Sequence, residues 1–189
     1  MLENKKTILD FKTKLFMSNL IVYFSRAGSN WVEDGVKNIE IGNTKLLATL
    51  LKNKIDCDIF EIRTKKVYPE EYYACTEEAK NEVKNNIFPD VLNAPENLDK
   101  YDTIYIGHPI WWDNIPNVMI GFLKKYNWQG KTIYHFCTHE GSGAANSPKT
   151  LENICKGAVI KPYFETRGYM CQDMDNFDIE GKIDSWVKQ

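Results

Sequence analysis

Two short segments of this chain carry residue types better suited to a ligand than to a core. Ser25-Arg26-Ala27-Gly28 ends an apolar run, and Gly42-Asn43-Thr44 follows across a gap of thirteen residues. Small and hydroxylic residues where a strand gives way to a helix suit an anion. Free backbone N–H groups and the helix dipole converge there, and glycine lets the anion come close. The second segment, His108-Pro109-Ile110-Trp111-Trp112, also ends an apolar run. Adjacent side chains diverge, so two neighbouring indoles cannot both enter one core, and at least one is left on the loop surface to stack on a flat ring. Pro109 stiffens the loop, and His108 offers nitrogens to backbone or ring.

A third segment, Thr138-His139-Glu140-Gly141-Ser142-Gly143, follows a further apolar run. Its backbone N–H groups suit pyrimidine oxygens, and Glu140 suits a ring N–H. His139 would protonate a reduced small molecule only if it were held within reach of it. The stretch Gly141 to Asn146 is a fragment of a dinucleotide fingerprint. It lacks the third glycine and follows the fourth strand rather than the first, so it carries little weight. Each segment alone also has a plainer reading: a helix cap for Gly-Asn-Thr, a structural histidine, a solvated carboxylate for Glu140. Taken together, a phosphate site and a planar-ring site point to flavin mononucleotide, FMN.

The elements that must position these loops can be read from the same sequence. Leu20–Phe24 is a continuous, β-branched run, as expected for a strand buried on both faces. Further strands are expected over 57–62, 103–107, 132–137 and 158–164. Helical periodicity begins at Asn43, where Asn43 or Thr44 can cap and Leu46, Leu47, Leu50 and Leu51 recur. Other helices are expected over 70–86, from about Asn117, from Ser147-Pro148 with proline at its favoured first position, and over Ile179 to Val187. Between Gly28 and Gly42, Asp34-Gly35 is a turn signal flanked by Trp31, Val32, Val36 and Ile39, which predicts a small β-hairpin standing over the phosphate end. Strands alternating with helices call for a parallel sheet covered on both faces. In such sheets ligands bind outside the carboxyl ends of the strands, where strand order reverses. The three segments all lie at such ends.

Composition bounds the function. The 189 residues are 43% hydrophobic and 26% charged, with a net charge of -2. That makes one ordinary globular domain and argues against a nucleic-acid binder, which would carry a basic stripe. No apolar stretch is long enough to span a bilayer. Five scattered cysteines without a Cys-x-x-Cys pair read as thiols of a reducing, cytoplasmic compartment. Residues 1–18 are mostly polar and are expected to form an N-terminal extension, with the folded domain over 19–189.

The motifs Tyr23-Phe24-Ser25-Arg26-x-Gly28, Gly42-Asn43-Thr44, Gly107-x-Pro109-x-Trp111-Trp112 and Thr138-x-x-Gly141-Ser142-Gly143, in this order, resemble the flavodoxin family. The resemblance covers residues 19–187 and implies a flavodoxin-like three-layer sandwich, with a five-stranded parallel sheet in order 2-1-3-4-5 and noncovalent FMN. It assigns Ser25, Arg26, Gly28, Gly42, Asn43 and Thr44 to the phosphate, and Pro109, Ile110, Trp111 and Trp112 to the isoalloxazine. Thr138, His139, Glu140, Gly141, Ser142 and Gly143 cover its pyrimidine side. The thirteen-residue insert is a departure, since it splits the family's compact phosphate loop. A second departure is Trp112-Asp113-Asn114, which offers no glycine for the peptide that turns over beside the ring in many flavodoxins, and so points toward two-electron chemistry.

Two functional readings stand side by side. One is an electron carrier between redox partner proteins. The other is an NAD(P)H-dependent reductase of a small quinone-like or nitro compound. A flavin-free binding module is a third class, told apart by whether the protein takes up FMN. Neither nucleic acid nor membrane is an expected partner, and the chain is expected to act as a monomer or homodimer.

Overall fold

The computed structural model of this protein describes residues 18–189, so the expected N-terminal extension, apart from Ser18, lies outside the described residues. Strand β1 (Asn19–Phe24) is central. β4 (Asp58–Ile62) pairs on one side of it and β5 (Thr103–Pro109) on the other, all parallel. β6 (Thr132–His139) adds beyond β5, and the far edge is shared by β7 (Val159–Ile160) and β8 (Phe164–Arg167). This is the expected 2-1-3-4-5 order.

Alternation along β1 sends its side chains to two cores. Leu20, Val22 and Phe24 face the side covered by α3 (Asn117–Leu123) and α4 (Ser147–Ile154). Ile21 and Tyr23 face the side covered by α1 (Asn43–Lys54) and α6 (Ile179–Trp186). Leu47 and Leu51 of α1, and Ile183 and Trp186 of α6, supply the stripe that the periodicity predicts. The five cysteines are all buried and unpaired, as expected of structural thiols.

Several boundaries differ from the sequence expectation. His108, Pro109, Thr138 and His139 belong to strands rather than loops, because His108 pairs with Cys137, Pro109 with Thr138, and His139 with Arg167 of β8. The expected strand over 158–164 is broken. Ile133 pairs with Ile160 but Phe136 pairs with Phe164, so the edge gains one residue around Pro162, which has no N–H to give the ladder. Ser147-Pro148 does not cap α4 with a side chain. Asn146 is the N-cap residue, and the Ser147 hydroxyl donates to the Ala144 carbonyl at 2.6 Å. The helix expected over 70–86 is α2 (Tyr72–Asn85), whose Glu71 carboxylate accepts from the Tyr73 and Ala74 N–H groups.

The insert forms the expected hairpin, β2 (Gly28–Val32) against β3 (Gly35–Ile39). Its turn falls at Glu33-Asp34, one residue before Asp34-Gly35. Glu33 takes φ 60°, and the Asp34 N–H reaches the Val32 carbonyl at 2.8 Å. The last short helix, α5 (Gly168–Cys171), has no counterpart in the sequence reading. Among the described residues, no helix is long and apolar enough to cross a membrane.

Candidate functional site

The two halves of the split first segment meet. Gly42 is the N-cap residue of α1, and a Cβ there would overlap the Ser25 hydroxyl and the Arg26 carbonyl. Neither Asn43 nor Thr44 caps the helix. Instead the Ser25 hydroxyl accepts from the Lys45 N–H at 3.0 Å, and the Leu46 N–H returns to the Gly42 carbonyl at 3.1 Å. Among the described residues this leaves the Asn43 and Thr44 N–H groups at the positive end of a twelve-residue helix. Here the backbone could receive an anion.

Arg26 is differently engaged. Its guanidinium donates to the carbonyls of Ser29, Pro69 (2.8 Å) and Glu70, tying the hairpin base to the chain that enters α2. The Asn30 amide completes this junction by donating to the Gly28 carbonyl at 3.0 Å and the Arg26 carbonyl at 3.3 Å. Gly28 takes φ 81° at the foot of β2.

The two indoles diverge, as neighbouring side chains must. Trp111 is held edge-on by Phe24 (5.3 Å, 87°) and Tyr68 (5.2 Å, 87°). Trp112 is 47% exposed, and its Nε1–H donates to the Thr76 carbonyl of α2 at 3.0 Å. Trp112 and Asp113 take φ 48° and 58°, between Trp111 and Asn114, which exchange two backbone hydrogen bonds of 2.9 and 3.1 Å. Two left-handed residues inside a closed two-residue turn are the primed geometry that glycine and asparagine favour. Here a tryptophan and an aspartate hold it.

The third segment is fastened at both ends. Glu140 accepts from the Tyr169 N–H at 3.0 Å and from the Glu33 N–H of the hairpin at 3.3 Å. Burial raises its carboxyl above the ordinary range, against these hydrogen bonds. His139 Nδ1 accepts from the Gly141 N–H at 3.0 Å, which leaves its Nε2–H to donate to Glu165. Both nitrogens of His139 are therefore occupied. Thr138 shares a 2.8 Å hydroxyl bond with Thr44, joining the ring side to the start of α1.

These parts enclose a cavity of about 560 Å³. Of the residues the sequence singled out, Arg26, Asn43, Pro109–Trp112 and Thr138–Glu140 line it. Ser25, Gly42 and Thr44 stand beside it at the start of α1, while Gly28 and Gly141–Gly143 lie outside its lining. The sequence reading missed part of the lining: Asn30 and Trp31 of the hairpin, and Tyr72, Tyr73, Cys75, Thr76 and Ala79 of α2. Its one signal was the aromatic pair opening a helix otherwise read as polar. Gly168 was missed as well. It also lines the cavity, and a Cβ there would strike the Asn43 amide and the Glu140 carboxylate.

Further titratable side chains are buried outside the cavity lining. The rings of His108 and His135 join Nε2 to Nε2 at 2.8 Å. His108 Nδ1 faces the Pro109 carbonyl at 2.9 Å, so it carries a proton, and His135 must be the donor of the pair. Burial pushes His108 down to about 4, against that carbonyl bond, and burial and its neighbour push His135 well below the ordinary range. Glu82 accepts from the Tyr68 hydroxyl at 3.0 Å, and burial lifts it to about 7.

A model of the family described as flavodoxin matches residues 19–177 of this chain. No curated protein matches it. Among solved structures, a candidate flavoprotein from Bacteroides uniformis ATCC 8492 is 23% identical, with a TM-score of 0.65 over 91% of this chain and 98% of that one. A second, from Bacteroides eggerthii DSM 20697, is also 23% identical, with a TM-score of 0.64 over 85% and 96%. A flavoprotein from Lactobacillus acidophilus NCFM, solved in complex with FMN, is 16% identical, with a TM-score of 0.59 over 91% and 99%.

Proposed function

This chain belongs to the flavodoxin family, and on that premise we propose that it binds FMN noncovalently at the carboxyl ends of β1, β5 and β6 and works as an electron-transfer flavoprotein. The observation that carries the reading is the junction of two features. The α1 N-terminus offers the Asn43 and Thr44 N–H groups, and the cavity beside it has Trp111 and Trp112 on its wall. Ser25, Gly42, Asn43 and Thr44 hold the phosphate. Arg26 contributes backbone only, since its guanidinium is bound to three carbonyls. Pro109 to Trp112 flank the ring, and Thr138 to Gly143 lie on its pyrimidine side. The relative from Lactobacillus acidophilus, whose complex contains FMN, supports the same assignment.

When bound, FMN supplies the reversible uptake of electrons, and the protein supplies position and surroundings. Trp111 cannot tilt, being gripped edge-on by two rings, so it sets the plane of one wall. Trp112 is fixed to α2 by its indole N–H and excludes water from the same side. The closed turn at Trp112-Asp113 presents a fixed backbone. Swinging their shared peptide would drive Trp112 into a region open only to glycine.

Titrating FMN with the purified protein tests the reading. Bound FMN should lose its fluorescence with one site per chain, and a protein that leaves FMN fluorescence unchanged would overturn it. The hairpin packed on α2 beside the cavity favours a small-molecule acceptor as a second reading, since this wall narrows a protein partner's approach to the ring. Consumption of NADH or NADPH in the presence of a quinone separates the reductase from the carrier.

A further inference from the structure

The hairpin leaves and re-enters the phosphate segment at one point. Gly42 lies so close to Ser25 and Arg26 that the two halves of the motif touch as if nothing stood between them. The anion-binding end is therefore complete without residues 29–41, and the insert is free to build something else. It is not a loose appendage. Arg26 ties its base to Pro69 and Glu70, Glu140 accepts from Glu33 at its tip, and the Trp31 ring meets Tyr72 of α2 at 6.1 Å and 45°. Yet the wall so built is not closed on itself. Trp31 and Tyr73 remain 37% and 60% exposed while lining the cavity. Aromatic rings held rigidly with a face uncovered are a stacking surface.

The charges on the lining narrow what stacks there. Among the described lining residues the basic side chains are Arg26 and His139. The first is bound to three carbonyls, and the second has both ring nitrogens engaged. Glu140, the acidic one, accepts two backbone N–H groups. The charged groups of the lining are thus committed to the backbone and to Glu165, whereas Tyr72 brings a phenol hydroxyl suited to a carbonyl oxygen.

We propose that the Trp31–Tyr72 wall is a second ring subsite, facing the FMN seat, that binds uncharged planar aromatic carbonyl compounds of the quinone class. The subsite rests on the FMN reading above, and its test separates the two. Protein saturated with FMN is titrated with 2,3-dimethyl-1,4-naphthoquinone, which has no ring position open to a thiol, following tryptophan fluorescence. Trp31→Ala should weaken this ligand about tenfold while FMN affinity stays within about twofold, and Trp31→Phe should retain most of the binding.

If the wild type takes FMN but not the naphthoquinone, the subsite falls and the FMN reading stands. If the wild type takes no FMN, both fall. Equal loss of FMN and naphthoquinone affinity in Trp31→Ala would make the wall part of the flavin's own seat and overturn the proposal. So would equal affinity for 2-hydroxy-3-methyl-1,4-naphthoquinone, an anion at neutral pH. Trp31 is exposed enough that its variants should fold, and a thermal melt of each confirms it.

Discussion

The hydroxyl oxygens of Thr44 and Thr138 lie 2.8 Å apart in a buried contact, ninety-four positions apart in the sequence. One stands in the first turn of α1, beside the free N–H groups, and the other at the end of β6, on the ring side of the cavity. This bond joins the start of α1 to the ring side of the cavity. Thr138→Val keeps the shape but leaves the Thr44 hydroxyl buried without a partner, which costs about 1–3 kcal/mol. For a chain of this size the melting temperature should fall by roughly 2–4 °C per kcal/mol, and FMN should bind more weakly. The double variant Thr44→Val/Thr138→Val should be less unstable than the sum of the two singles, because neither hydroxyl is then orphaned. Thermal melts of the four proteins give the answer, and simple additivity would show the bond to be idle.

Arg26 should behave unlike a phosphate ligand. Its guanidinium holds the hairpin to the entry of α2, so Arg26→Met should free the hairpin while leaving the α1 N-terminus intact. The expected result is faster cleavage within residues 28–39 by a broad-specificity protease, with the FMN dissociation constant raised by no more than about threefold. A loss of FMN affinity of about a hundredfold, with no change in proteolysis, would return the guanidinium to the phosphate.

Stability should depend on pH through buried groups shifted in opposite directions. His108, at about 4 in the folded protein against 6.5 when unfolded, binds fewer protons in the fold across that window, and His135 is shifted the same way. Their contribution is fully present above pH 6.5 and is lost as the pH falls toward 4. Glu82, lifted to about 7 from 4.5, binds more protons in the fold. Its contribution is present below pH 4.5 and is lost as the pH rises through 7. Glu82→Gln should therefore gain stability relative to the wild type as the pH rises from 4.5 to 7. Denaturant melts at pH 4.5, 6 and 7.5 read both slopes, and parallel curves for variant and wild type would remove Glu82 from the account.

Much of this architecture was legible because the apolar runs were continuous. Leu20–Phe24 could only be a strand buried on both faces, and the Gly42-Asn43-Thr44 turn could only open a helix. The hairpin followed from Asp34-Gly35, and the strand order from the family resemblance. The ends of β5 and β6 were not legible, because His108 and Thr138 look like loop residues until the neighbouring strand supplies their partners. The break at Pro162 turns on which face the edge must bury, and that depends on β6. The hairpin and α2 part of the lining escaped for a related reason. Tyr72, Cys75, Thr76 and Ala79 belong to a helix whose sequence is polar and whose inward face is set by the hairpin packed against it. The engagement of the Arg26 guanidinium was not legible either, because its carbonyl partners at Pro69 and Glu70 lie more than forty residues away.

The turn at Trp112-Asp113 holds two side-chain-bearing residues in the left-handed region, a conformation that costs most L-residues roughly 1–2 kcal/mol and aspartate less. The closure by Trp111 and Asn114, and the bond from the Asn146 N–H to the Asp113 carbonyl at 3.0 Å, leave the backbone no other arrangement. Asp113→Ala keeps the left-handed cost and removes the short polar side chain that eases it, so it should lower stability by about 1 kcal/mol. Asp113→Gly removes the cost but loosens the unfolded chain, so the gain should be smaller, about 0.5 kcal/mol. The order glycine, aspartate, alanine in melting temperature is the expected outcome. Equal melting temperatures would mean that the turn relaxes without a side chain's constraint, and the fixed backbone beside the ring would lose its basis.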